Sequence, residues 1–255
     1  MQCRQCHREE FTRAGLDRFQ RQIYRCSSYG RRQTLRSFSA FCGYRFPDEI
    51  IALAVRWYLR FRLPYADVAE LLAERGINVD ASTIFDWVQR FAPLYQEAAR
   101  PHRHRIGSRW SVDETYLRIA GRWCYAFRAI GEDGQVIDVY VSSTRDTAAA
   151  TAFLTWAVES TEVAPDVVSS DKAPIYPPAF AMVLPEVEHI TGKMEQQQIE
   201  RDHQHLKGRI RSMRGFQTVS CAQIVCRGHS FMRNLGNGFY RAVWSCPIQP
   251  GKSGD

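Results

Sequence analysis

The chain has 255 residues, 45% of them hydrophobic and 24% charged, which is ordinary globular composition with length for one large domain and a small one. No apolar run approaches the ~18 residues of a membrane span, the start Met-Gln-Cys-Arg-Gln-Cys-His is too polar for a signal-peptide core, and eight scattered cysteines do not suggest a disulfide framework, so a cytoplasmic protein without membrane contact is expected. The net charge of +7 is segregated: residues 1–108 carry 18 basic and 11 acidic side chains, residues 109–192 carry 6 and 12, and residues 193–255 carry 10 and 4. An acidic centre between basic arms suits a metal site acting on a polyanion held by its surroundings.

Residues 1–44 read as a basic, weakly stable arm that resembles a degenerate zinc ribbon. Cys3 and Cys6 form a C-x-x-C pair and Cys26 supplies a third thiol, but Tyr29 stands where a fourth ligand belongs. Two readings stay open: a zinc completed by His7 or Cys42, neither at the usual spacing, or a metal-free remnant. Residues 45–98 read as helical. Pro47-Asp48-Glu49 opens a first helix, Leu63-Pro64-Tyr65 breaks it, and Ala66 to Arg75 forms a second that Gly76 ends. A third, capped by Asp80 or Ser82, turns Ile84, Phe85, Trp87, Val88 and Phe91 inward. The last two make a helix-turn-helix whose recognition helix would expose Thr83, Asp86, Gln89 and Arg90. Residues 99–108, with Arg103 and Arg105 between Pro101 and Gly107, form a basic linker.

From Arg109 the pattern turns to strands at Trp110–Leu117, Trp123–Ile130 and Val136–Ser142, with turns at Ala120-Gly121 and Glu132-Asp133-Gly134. Asp146 caps a helix to about Ser160. A short strand ends at Asp171, a further strand is expected at Val187–Ile190, and a helix at about Met194 to Met213. Three antiparallel strands followed by helix, strand, helix, strand and helix is the order of an RNase H-like α/β domain, assigned to residues 109–235. Residues 236–255 are left as a tail.

Three carboxylates stand out: Asp113 in Trp-Ser-Val-Asp-Glu-Thr-Tyr, Asp171 in Ser-Ser-Asp-Lys-Ala-Pro, and Glu200 in Ile-Glu-Arg-Asp-His-Gln-His-Leu-Lys. Gathered by the fold, they offer oxygen ligands for Mg²⁺ or Mn²⁺ and two-metal attack on a phosphodiester. Alternation sets Glu114 on the opposite face of its strand, against both acids serving as direct ligands without distortion. Helical periodicity from Glu200 adds His203, Gln204, Lys207 and Arg211, with Ile199, Leu206, Ile210 and Met213 as a separate apolar stripe. Lys207 could hold a phosphate, and His203 is read as a phosphate contact or a solvent residue.

These motifs, with Gly43 to Ile51, Asp67 to Ile77, Ser142 to Asp146 and Val187 to His189, resemble the DDE transposases of bacterial insertion-sequence family 6. The likeness implies a retroviral-integrase-type fold, binding of double-stranded terminal inverted repeats and target DNA, and Mg²⁺-dependent strand transfer; a homodimer or larger assembly is expected because two DNA ends must be brought together. By position the likeness makes Asp113, Asp171 and Glu200 the metal-binding triad and Lys207 the basic partner. The 28 residues between Asp171 and Glu200 are several fewer than that family has, so the connecting helix is expected to be shortened, with Pro177, Pro178 and Pro185 in its place. The alternatives are a DNA-binding derivative without catalysis and an RNase H-like nuclease without joining.

Overall fold

The computed structural model describes residues 3, 5–17, 20–191, 197–211, 213 and 215–241, and of Gln197, Gln198, Glu200, Arg201 and Asp202 the backbone alone. The chain forms two compact units, Met1–Ile51 and Ala52–Asp255. The first is a small antiparallel sheet of β1 (Phe11–Leu16), β2 (Gln22–Cys26) and β3 (Arg32–Gln33). Its interior is mainly sulfur: Cys3 and Cys26 are buried, and Gln33 donates to Cys3 Sγ at 3.7 Å. Arg36 pairs with Asp48 at 2.6 Å, where α1 (Asp48–Arg60) begins.

In the second unit, α1 continues into α2 (Tyr65–Ala73) and α3 (Ala81–Ala99). Gly76 at φ +74° makes the turn between the last two, a conformation that a side chain would strain. Ile84, Trp87, Val88 and Phe91 face inward as their spacing requires, but Phe85 is 37% exposed, with its edge against Tyr65. Helix α3 runs well past Phe91. The expected linker is tied down as well: Arg103 bridges to Tyr240, and His104 N–H donates to Phe239 O at 2.9 Å.

The central sheet has the order β6-β5-β4-β7-β8. Strands β4 (Arg109–Ile119), β5 (Arg122–Gly131) and β6 (Val136–Ser142) are antiparallel neighbours, and β7 (Val167–Ser170) and β8 (Glu188–Thr191) add on parallel to β4. This is the RNase H-like arrangement expected from the element order. Asp146 caps α4 (Thr147–Thr161) by accepting from Ala149 N–H at 2.8 Å. The connecting helix is short, eight residues, and Pro177 and Pro178 lie within it. They occupy the first turn of α5 (Tyr176–Val183), where a missing N–H costs nothing, and Pro185 follows its end. Phe127, Phe153, Leu154, Val168 and Phe180 build the core between the sheet and α4–α5.

On the other face lie α6 (Gln197–Arg211) and α7 (Val219–Gly236). Of the expected start of α6, residues 194–196 lie outside the described residues. Helix α7 had no counterpart in the sequence reading, because its inward side mixes Ala222 and Val225 with Cys226, His229, Ser230 and Asn234 and shows no plain apolar stripe. It approaches α1 so closely that a Cβ on Gly228 would stand 2.9 Å from Leu59 Cδ2. It also closes the β6 edge. Gln223 accepts from Val141 N–H and donates to Val139 O, both at 2.6 Å. Asn234 does the same for Val136 at 2.9 and 2.7 Å.

His229 is buried with Nδ1 at 2.9 Å from Leu59 O. Burial, aided by the charges of Arg128, Arg209 and Arg60, lowers its pKa to about 4. Between the ordinary histidine value near 6.5 and that value, the unfolded chain binds the proton and the folded chain does not, so stability falls as pH drops through the window. Denaturant midpoints measured from pH 7 to pH 4 should show a shallower acid decline for His229→Gln than for the parent. Identical slopes would contradict this account.

Candidate active site

The parallel pairing of β4 with β7 runs from Arg109 opposite Val167 to Ser111 opposite Ser169. Asp113 and Asp171 lie just past its end, where strand termini of an α/β sheet open a crevice. Ser169 and Ser111 hydroxyls, 2.9 Å apart, close the sheet beneath them. Asp171 Oδ1 accepts from Ala173 N–H at 2.9 Å, so the turn after β7 fixes its carboxylate. Asp113 Oδ1 accepts from Glu114 N–H at 2.8 Å, and its Oδ2 lies 3.5 Å from His203 Nδ1.

Glu114 points to the other face of β4, as alternation demands, and is buried there. It is held by Arg145, which follows β6, and by the Tyr176 hydroxyl at 2.5 Å. Arg145 also reaches Asp171 Oδ2 at 3.7 Å. Burial and then the neighbouring Glu114 carboxylate push Tyr176 well above the ordinary tyrosine range, so it serves as a neutral donor. One oxygen from each of Asp113, Glu114 and Asp171 falls within 4.8 Å of the others. Opposite faces therefore do not keep the two adjacent acids apart, because their carboxylates converge just beyond the end of the β4–β7 pairing. Such an all-oxygen donor set fits a hard divalent cation.

Glu200 lies on α6, one turn before His203, and its side chain is outside the described residues. Lys207 and Arg211 are exposed on the same helix. His203 is corrected: it is buried at helical spacing with Ile199 and Leu206, and faces Asp113 rather than solvent. Burial, then the charges of Arg128 and Lys207, lowers its pKa to about 3, so the imidazole is neutral. Arg103 is also corrected, since its guanidinium donates to Val136 O at 2.6 Å and Ile137 O at 3.1 Å, which ties it to β6. Arg90 and Arg105 are exposed, and Thr83 and Gln89 are half-buried on α3.

In the first unit, Cys3, Cys6 and Cys26 bring their sulfurs within 4.8 Å of one another, Cys6 and Cys26 being 3.5 Å apart. Tyr29 is exposed, and among the described residues neither His7 nor Cys42 joins the group.

A family model described as a DDE domain matches residues 107–238. The transposase of the insertion sequence-like element IS431mec of Staphylococcus aureus (strain Mu50 / ATCC 700699) is 34% identical over 72% of this chain and 83% of its own. The chain belongs to the DDE transposases of insertion-sequence family 6. The transposase of IS257 in transposon Tn4003 of the same species matches to the same extent. Among solved structures, the catalytic core of HTLV-2 integrase in complex with magnesium aligns over 40% of this chain and 69% of its own at 15% identity, with a TM-score of 0.35; the fold assignment rests on the strand order instead.

The transposase is thus a DNA-cleaving and strand-transferring enzyme by family. Sequence reasoning missed Arg145 and Tyr176, which hold Glu114 and face the carboxylate cluster. The signal available was an acid directly after Asp113, since a buried Glu needs partners. Tyr176→Phe removes one of those donors and should lower stability by ~1–3 kcal/mol in urea unfolding, with Glu114→Gln in the same chain restoring part of the loss. An unchanged midpoint for Tyr176→Phe would show that this hydroxyl does not support Glu114.

Proposed function

We propose that this transposase binds the terminal inverted repeats of its element through the α2–α3 helix-turn-helix and cuts and joins double-stranded DNA at Asp113, Asp171 and Glu200. The observation that carries the reading is the convergence of Asp113 and Asp171 at the end of the β4–β7 pairing, with α6, which bears Glu200, packed on β4 and β5. The short Asp171–Glu200 interval contains both α5 and β8 among the described residues, which supports the catalytic reading.

The three acids would hold Mg²⁺ or Mn²⁺, which supplies Lewis-acid activation of the attacking oxygen and neutralises charge at the phosphate. Arg145 orients the Asp171 carboxylate. Neutral His203 faces Asp113 from α6 on the side of the crevice. Lys207, exposed one turn beyond His203, is placed for a phosphate oxygen. Arg90 and Thr83 on α3, with Arg105 and Arg211, supply DNA contacts, and Gln89 stays at the margin of that surface. Two ends must be brought together, which implies a homodimer or larger assembly, working on DNA in the cytoplasm.

We also propose that Cys3, Cys6 and Cys26 hold a zinc ion. Tetrahedral thiolates at the usual Zn–S length of ~2.3 Å stand about 3.8 Å apart, close to the 3.5 Å between Cys6 and Cys26. Mercurial titration with a colorimetric zinc indicator should release zinc from the parent chain and none from Cys26→Ser. Absence of zinc from a parent chain purified without chelator would leave the remnant reading in its place.

The decisive assay mixes the full chain with a labelled element end, with and without Mg²⁺. Asp113→Asn, Asp171→Ala and Glu200→Gln should each abolish joined product while retaining end binding. Normal strand transfer by any of them would refute its place in the triad, and cleavage without joining would favour a nuclease.

A further inference from the structure

The β4–β5 hairpin runs past the carboxylates and presents aromatic side chains to solvent. On the face that also carries Glu114, Tyr116 pairs across the strands with Tyr125, and Arg118 with Trp123. Tyr116 is 55% exposed and Trp123 62%. Their rings meet edge to face at 6.1 Å, and Tyr116 leans on Tyr125 at 5.2 Å. Arg118 lies 5.9 Å from the Trp123 ring and is steadied by Gly121 O. Two large rings held in place yet left in water need a partner with flat apolar faces.

Charge and position say which partner. Between Glu114 and Glu132 the chain has two exposed arginines, Arg118 and Arg122, and no acid, an interruption in an otherwise acidic domain that suits a polyanion. Tyr116 is two residues from Glu114 on the same face of β4, about 7 Å at strand rise, and Glu114 shares the carboxylate cluster with Asp113 and Asp171. Bases inside a duplex have their faces covered by their neighbours, so exposed rings gain little from intact double helix, whereas an unpaired base offers a free π-face.

We infer that Tyr116 and Trp123 form a stacking platform for unpaired bases beside the phosphate held at Asp113 and Asp171, with Arg118 and Arg122 on the adjoining backbone. The inference rests on the proposed site of cleavage and joining. It means that the DNA end is opened locally before it is joined.

Two measurements on the full chain test it. In EDTA, where no strand transfer can occur, a short dT oligonucleotide should quench Trp123 fluorescence, and a duplex of equal length should do so far less. Trp123→Phe should lose that quenching, and Tyr116→Ala should bind the oligonucleotide roughly five- to 150-fold more weakly. With Mg²⁺, the Tyr116→Ala/Trp123→Ala double variant should join paired ends poorly and recover on ends whose terminal base pairs are mismatched, since unpairing then costs less. A merely structural defect would not be rescued by the substrate.

Quenching that persists in Trp123→Phe, or equal loss on paired and mismatched ends, overturns the platform. So does a DNA-free dimer that the double variant splits in sedimentation, because the rings would then be a protein interface. Oligonucleotide stacking without any strand transfer by the parent chain would leave the platform standing and remove the catalytic reading instead.

Discussion

A positive charge buried inside the sheet constrains much of the second unit. Arg128 on β5 is fully buried and stands directly across from Asp113 in the β4–β5 register. Burial lowers its pKa to about 10, so it remains a cation at neutral pH. An isolated guanidinium there would cost several kcal/mol, which makes its surroundings obligatory. A carboxylate must lie on the same side of the neighbouring strand, and Ser230 on α7 must accept from Nη2, as it does at 3.1 Å. A register slip of one residue would send Asp113 to the opposite face and leave the charge against apolar side chains. The same charge, after burial itself, helps keep His203 neutral beside Asp113. Strand register, helix docking and the setting of one carboxylate therefore depend on a single side chain.

The second cation solves a related problem. Asp113 and Glu114 are adjacent acids, and two carboxylates so close repel each other. The two-residue period of the strand sends one toward Arg128 and α6, and the other toward Arg145 and Tyr176. Glu114 thus meets Arg145 on its side of the sheet, while Arg128 stands across from Asp113 in the register. Beyond the end of the β7 pairing, in the middle of β4, the oxygens of the two acids come within reach of each other and of Asp171.

Much of this was legible in the sequence, and the failures have definite causes. Strands β4 to β6 declared themselves through β-branched and aromatic residues and turn residues, and α4 through its Asp146 cap, because these signals are local. Asp113 and Asp171 were legible as a pair because the element order predicts which strand ends meet. The role of His203 was not, because a histidine at the margin of an apolar stripe faces inward or outward according to whether a buried group awaits it, and here Asp113 does. Arg103 looked like a DNA contact because nothing in a basic linker reveals that β6 has carbonyls in need of a donor. Helix α7 was missed for the same reason: its inward polar residues bind strand backbone and the buried Arg128, which no periodicity analysis of one segment can show.

The closing of the β6 edge by Gln223 and Asn234 has a consequence for how the chain is made. Those amides stand in for a sixth strand, and an open edge is a template for pairing with other chains. Val141 and Gln223 are 82 residues apart. At ordinary synthesis rates β6 therefore leaves the ribosome roughly 4 to 16 seconds before the side chain that seals it. During that interval neighbouring nascent chains on one message can join edge to edge, and a chain interrupted before α7 keeps that liability permanently. The timing of α7 thus bears on aggregation independently of the hydrophobicity of the strands.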